Sequence, residues 1–272
     1  MKINTTLGEY LSKNLKTQKN LIKLTSTNKL TVNEENEKNS NIIETLSIFK
    51  ENILNDDIFN NAISRIENNE FSELCTIIKE CECNKSTMHN YTQFYHELLK
   101  DYRNDILNFV EIGIGTTDPN VPSSMHSEYK VGSSLLAWEK YFTNQNMKIY
   151  GGDIDPKTLF ETDRIDTFYI NQENPASILK FLKNFNFDED GIDFILDDGL
   201  HQLHSNLMLL ITIWPYLKIN GLYLIEDISE HEFKNLLYFI NAYSLNASCL
   251  AIESPSELKT DNRIIILQKN KL

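Results

Sequence analysis

The sequence has no apolar run long enough to cross a bilayer, no basic cluster and no cysteine pair at metal-ligand spacing. Each absence removes a class of function. The most apolar segment, 206–217, falls short of the roughly 20 residues a membrane helix needs and is broken by Pro215. Residues 1–24 alternate polar and apolar character, without the apolar stretch of roughly 7–15 residues that marks a secretory signal. A cytoplasmic protein with no membrane partner is expected. The 26 Lys and Arg against 39 Asp and Glu leave a formal net charge of -13, and the basic residues are scattered. A polyphosphate backbone would be repelled, so no nucleic-acid partner is expected. Cys75, Cys81, Cys83 and Cys249 supply only a C-x-C, too sparse for a zinc site, and read as reduced thiols.

What is present is enough for a sizeable core. At 41% hydrophobic and 24% charged residues, the composition sits near globular averages, and 272 residues suffice for one α/β domain with an appendage. Residues 25–41 are dense in Asn, Lys, Glu, Ser and Thr and read as a mobile segment. From 42 to 82 apolar residues recur at helical spacing, predicting two or three short amphipathic helices. The texture then changes. Strand patterns at 107–112, 147–154, 167–171, 192–196, 222–226, 247–253 and 263–268 alternate with helical patterns near 133–143, 175–185, 202–217 and 230–245, the first opening with serines suited to capping. The loop 254–262 is too short for a crossover helix, so the last two strands should pair antiparallel. The expected fold is α/β: a Rossmann-like seven-stranded sheet with an antiparallel last strand and helices on both faces. An N-terminal helical region over 1–105 precedes this domain of 106–272.

Phe109-Val110-Glu111-Ile112-Gly113-Ile114-Gly115 is a buried strand ending in two glycines, which let a bound cofactor approach the backbone. A dinucleotide fingerprint would need a third glycine at 118. Asp118 stands there, and Pro119 and Pro122 forbid an immediate helix, which weakens a nicotinamide reading. The second strand ends in Gly151-Gly152-Asp153-Ile154-Asp155, placing a carboxylate where it can accept both ribose hydroxyls. Asp153 is the first choice and Asp155 the second; either could instead cap the turn before Pro156. Asn171 and Gln172, at the end of the third strand, could hydrogen-bond an adenine edge or simply solvate a loop.

Asp193-Phe194-Ile195-Leu196-Asp197-Asp198-Gly199-Leu200-His201 is a strand that breaks at a carboxylate pair, with a histidine three residues on. The strand 222–226 also ends in two carboxylates, Glu226 and Asp227. Were these strands neighbours, Asp198, Glu226 and Asp227 would converge on one volume, and three carboxylates so close need a cation. All-oxygen ligation suits Mg²⁺ or a similar hard ion. His201 would then serve as a proton acceptor. The bland alternative has Asp197 and Asp198 capping the next helix and His201 at the surface.

These segments resemble class I S-adenosylmethionine (SAM) methyltransferases of the metal-dependent sugar O-methyltransferase type, such as those acting on macrolide sugars, and their cephalosporin hydroxylase-like relatives. The resemblance rests on Val110 to Thr116, Tyr150 to Asp155, Asp197-Asp198-Gly199-Leu200-His201 and Ile225-Glu226-Asp227. It implies Asp198, Glu226 and Asp227 as metal ligands and His201 as the base. Cofactor contacts would fall on Glu111, Gly113, Gly115, Asp153, Asp155, Asn171, Gln172 and Asp197. Lys85-Ser86-Thr87-Met88-His89-Asn90-Tyr91 resembles a family element covering the cofactor, which puts His89 and Tyr91, with Tyr95, near its methionine end. The loop 116–132, with Pro119, Pro122, Met125, His126 and Tyr129, would shape the acceptor pocket.

The implied activity is SAM-dependent, Mg²⁺-assisted methylation of a hydroxyl. The substrate would be small and polar, a sugar or a sugar-linked or phosphorylated metabolite of surface (capsular) polysaccharide or natural-product biosynthesis, and homo-oligomers are common among such enzymes. Competing readings are a metal-independent N- or O-methyltransferase of an amine or phosphate-bearing metabolite, a non-catalytic cofactor-binding scaffold and a nicotinamide oxidoreductase.

Overall fold

In the computed structural model, the central strands divide their side chains between two cores with the period of two that a pleated strand imposes. The structure describes residues 49, 53–83, 85, 89–126, 129–242, 245–255 and 260–271. The segment 25–41 lies outside them. On one face of the sheet Phe109, Ile149, Phe194, Leu222, Leu224, Ile264 and Ile266 share a buried cluster. Their immediate neighbours Val110, Ile195, Tyr223, Ile225, Ile265 and Leu267 belong to the cluster on the other face. Strands that are apolar on both faces are those a buried, mainly parallel sheet requires.

Seven strands form that sheet: β1 (Asn108–Ile112), β2 (Lys148–Asp153), β3 (Ile165–Tyr169), β4 (Ile192–Asp197), β5 (Leu217–Ile228), β6 (Ala247–Glu253) and β7 (Arg263–Lys269). Their spatial order is β3-β2-β1-β4-β5-β7-β6. The first five are parallel; β7 runs antiparallel to both β5 and β6, as expected for the final pair. The chain order reverses between β1 and β4, and a crevice opens there beyond the carboxyl ends of the strands.

Helices α1 (Asp56–Glu67), α2 (Glu73–Glu80), α3 (Tyr91–Leu99) and α4 (Ser133–Tyr141) cover the first face. Helices α5 (Pro175–Asn184), α6 (Leu203–Ile213) and α7 (Glu230–Ala242) cover the second. Local sequence explains several starts. Asn55 accepts the amides of Asp57 and Ile58 at the head of α1, and Asn174 with Pro175 opens α5. The N-terminal helices contribute Ile58, Ala62, Leu74 and Ile78 to the same cluster as Phe109 and Trp138. Among the described residues no helix is long and apolar enough to cross a membrane.

Several element ends differ from expectation. The third strand starts at Ile165, two residues early, because Ile165 pairs with Ile149 and is fully buried. The helix expected over 202–217 ends at Ile213, and Pro215 lies in a 3-10 turn from which β5 begins at Leu217. Ser133 and Ser134 are not caps: the capping position of α4 is Gly132, at φ 69.

At the amino end of the sheet, Asp193 Oδ2 accepts the amides of Leu107 and Asn108, and Oδ1 lies 2.8 Å from Lys218 Nζ; both side chains are buried. Removing one partner strands the other charge in the core. Asp193→Ala is expected to cost about 3–5 kcal/mol of folding stability, read from the urea midpoint.

Candidate active site

β1 and β4 meet so closely at their carboxyl ends that only glycine fits between them. The Asp198 amide donates to Ile112 O at 2.8 Å, and Gly113, at φ +90, donates to Gly152 O at 2.8 Å. A Cβ on Gly113 would lie 1.9 Å from the Asp198 carbonyl oxygen. The turn that carries the reactive residues is thereby seated against the turn that follows β1.

Two cavities open on this junction. The first, about 320 Å³, is lined by Gly113, Gly115, Asp153, Ile154, Asn171 and Gln172, with Asn120 to Ser123 along one wall. The second, about 250 Å³, is lined by Lys85, His89, Met125, Ser133, Ser134, Asp198, His201, Glu226 and Asp227. Gly113, Gly115, Ser123 and Asp198 belong to both.

The first cavity suits a nucleoside. Asp153 borders it, although its Oδ2 accepts the Ile114 amide at 3.0 Å and its Oδ1 the Asp155 amide at 2.9 Å. Ile154 leaves 42% of its surface exposed beside it, an apolar face open to a base. Asp155 does not border it: it accepts from Thr116 Oγ1 at 2.6 Å and from the Lys157 amide, the turn-capping role open to it from the sequence. Asn171 and Gln172 are both at the wall, but Gln172 is engaged at each end. Its Nε2 donates to Asp197 Oδ1 at 2.6 Å, and its Oε1 accepts the Leu200 amide at 2.9 Å.

Besides Asp155, three further expected cofactor contacts lie elsewhere. Asp197, in alternation with Asp198, turns away from both cavities; it is fully buried and accepts from Gln172, Asn206 Nδ2 and Tyr223 OH. Burial pushes its carboxyl up to about 6 against those hydrogen bonds. Glu111 lies beneath the cavities, accepting from Trp138 Nε1 at 3.0 Å, and burial raises it to about 7. Tyr91 is fully buried, stacked on His89 and donating to Asp261 O at 3.0 Å. His89 reaches the second cavity, with Nδ1 3.4 Å from Asp227 Oδ1.

The reactive cluster is assembled by strained backbone. His201 (φ 57) and Asp227 (φ 51) both adopt left-handed conformations that non-glycine residues rarely take, as functional sites often require. His201 Nε2 lies 3.2 Å from Asp198 Oδ1 and 4.0 Å from Asp227 Oδ2. Asp198, His201 and Asp227 each offer an atom within 4.8 Å of the others, the spacing a shared cation could bridge, and Asp227 Oδ1 accepts no hydrogen bond among the described residues. This donor set fits a divalent ion. Glu226, the third expected ligand, is turned instead to Lys85 Nζ at 2.6 Å and Tyr95 OH at 2.5 Å.

Lys85 is the residue sequence reasoning passed over. Its buried ammonium also lies 2.6 Å from Asp198 Oδ2. Burial alone would lower its pKa, but Asp198, Glu226 and Glu111 hold it well above the usual lysine value. They also show what signal existed: carboxylates meeting at adjacent strand ends require a counter-charge, and Lys85 lies in the element ascribed to cofactor coverage. Asp198 is held well below the ordinary range, since Lys85 and His201 outweigh its burial. His201 is raised to about 9, because Asp198 and Asp227 outweigh the burial that would lower it.

The MycE methyltransferase of the mycinamycin biosynthetic pathway, solved with Mg, SAH and mycinamycin VI, superposes with a TM-score of 0.57 at 20% identity, over 74% of this chain and 54% of that one. This chain has the class I methyltransferase fold. No protein-family model matches it. About half of the chain is also similar in sequence to O-methyltransferases of known substrates. It is 31% identical over 142 residues to the 8-demethyl-8-alpha-L-rhamnosyl tetracenomycin-C 2'-O-methyltransferase of Streptomyces olivaceus, 52% of this chain and 34% of that enzyme. It is 30% identical over 142 residues to the demethylmacrocin O-methyltransferase of Streptomyces fradiae, again 52% of this chain and 32% of that enzyme. The match thus takes in about a third of each relative's length.

In this class I core the contact between Gly113 and Asp198 is the tightest constraint. Gly113→Ala is expected to lower stability by about 1–3 kcal/mol or more in urea denaturation, from backbone strain and the clash together. An alanine variant as stable as the wild type would remove the steric claim.

Proposed function

We propose that this chain is a SAM-dependent, Mg²⁺-assisted O-methyltransferase acting on a hydroxyl of a small polar substrate, a sugar or sugar-linked metabolite, in the cytoplasm. One observation carries the reading. Asp198, Asp227 and His201 converge where a nucleoside-sized cleft and a second polar cavity share a wall. The relative named for a rhamnosyl tetracenomycin-C supports the substrate class; a capsular polysaccharide has no counterpart among the named relatives.

In this reading Gly113 and Gly115 let the cofactor lie against the backbone, and Asp153, Ile154 and Asn171 receive its nucleoside. The acceptor enters the second cavity, beside Ser133, Ser134 and Met125. Asp198 and Asp227 would hold the ion, with Glu226 behind them. When bound, SAM supplies the methyl group and a divalent ion polarises the acceptor hydroxyl. His201 Nε2 would take the acceptor's hydroxyl proton as the methyl group is transferred. An imidazole raised to about 9 by Asp198 and Asp227 would be protonated at neutral pH, so compensation of those carboxylates is what frees it to act. Thr116 and Asn120 to Ser123 wall the cleft; Ser123 Oγ donates to Leu200 O at 3.1 Å, and Lys157 pairs with Asp118 of the same loop at 3.0 Å. Exclusion of water and alignment carry much of the acceleration.

A metal-independent reaction is the second reading, favoured by Lys85, which already supplies one positive charge to the cluster. Dependence on divalent ions discriminates the two. His201→Ala is expected to lower turnover by about 10²–10⁴ while leaving S-adenosylhomocysteine binding, measured by calorimetry, unchanged. Unaltered turnover would remove the base assignment. Asp227→Asn, which leaves the Lys85 contacts in place, should weaken Mn²⁺ binding at least about tenfold; full activity after exhaustive chelation would sink the metal-assisted reading.

A further inference from the structure

Four carboxylates gather at the carboxyl ends of three neighbouring strands: Glu111 on β1, Asp198 just beyond β4, and Glu226 and Asp227 on β5. A single ammonium, among the described residues, stands within them. Lys85 Nζ is 2.6 Å from Asp198 Oδ2, 2.6 Å from Glu226 Oε2 and 3.5 Å from Glu111 Oε1. It reaches in from outside the sheet, ahead of α3, and is only 3% exposed. Its placement divides the cluster into two parts. On the inner side, Glu226 has one oxygen on Lys85 and the other on Tyr95. On the outer side, Asp198 Oδ1 and Asp227 Oδ2 face His201, and Asp227 Oδ1, 3.4 Å from His89 Nδ1, accepts no hydrogen bond among the described residues.

We propose that Lys85 is a positioning residue, a resident counter-cation that orients Asp198 and Glu226 and whose charge keeps the affinity of the Asp198–Asp227 edge for a divalent ion low. The proposal rests on the metal-assisted reading above. Without Lys85, the inner carboxylates would repel one another and swing toward whatever cation arrived, giving a tight but disordered ion site. With it, two of them are held in place by short charge-assisted hydrogen bonds. The same charge repels an incoming ion held on the opposite edge of Asp198. The ion site is weakened in exchange for geometry, and the acceptor's own oxygens are left to complete it.

A merely structural lysine and a tuning one predict opposite signs. The test is Mn²⁺ binding to the full chain, followed by electron paramagnetic resonance of the free ion, for the wild type, Lys85→Met, Lys85→Gln and Lys85→Arg. Lys85→Met is expected to bind Mn²⁺ about 10–100-fold more tightly than the wild type, and Lys85→Arg, which keeps the charge, within about threefold of it. The thermal midpoint of Lys85→Met should fall in EDTA and recover on adding Mn²⁺, by more than the wild type gains. Lys85→Gln retains hydrogen bonding without charge, and should also bind more tightly; it decides the matter if the methionine variant does not fold. Unchanged or weaker binding by the neutral variants, with the wild type binding normally, would overturn this proposal alone. No Mn²⁺ binding by any of the four would overturn the metal-assisted reading and this proposal with it.

Discussion

Like charges brought together at the ends of β1, β4 and β5 are the constraint around which this fold is arranged. In a low-dielectric setting, ionised carboxylates at these separations repel strongly, and they coexist only where positive charge or hydrogen-bond donors compensate them. The chain supplies both. Lys85 contributes an ammonium to Asp198 and Glu226, Tyr95 a hydroxyl to Glu226, and Trp138 an indole to Glu111. Because Lys85 and Tyr95 precede the first strand, the N-terminal helices are part of the reactive centre's electrostatics as well as of its hydrophobic cover.

The same residues connect chemistry to architecture through backbone that would be unfavourable elsewhere. Asp197 is locked by Gln172, Asn206 and Tyr223, so the next residue must emerge on the opposite face, where Asp198 meets Lys85 and His201. Gln172 in turn holds the Leu200 amide, fixing the turn that carries His201. A residue that looks like a ligand contact from its position thus works as a brace. The left-handed His201 follows directly on the Leu200 amide that Gln172 holds.

Much of the sheet was legible because strand patterning is local. Alternation at Phe109 and Val110, or Leu224 and Ile225, encodes two buried faces, and a short loop before Arg263 permits only an antiparallel return. Element ends were less legible. Whether Ile165 opens a strand depends on Ile149 lying alongside, and whether Gly132 or Ser133 heads α4 depends on the path of the preceding loop. The convergence of Asp198 with Asp227 was anticipated from strand adjacency, whereas the capture of Glu226 was not.

The sequence by itself determined the order and type of the strands, the glycine-bearing turn after β1, and the presence of paired carboxylates and a histidine at two later strand ends. These are matters of periodicity and of short spacings along the chain. Only the tertiary structure decided which side chain of each pair faces the cavities, and that Lys85, more than a hundred residues away in sequence, would fill the space between Asp198 and Glu226. The reason is that side-chain direction and charge compensation depend on neighbours brought together by packing, and such contacts leave no periodic trace in the chain.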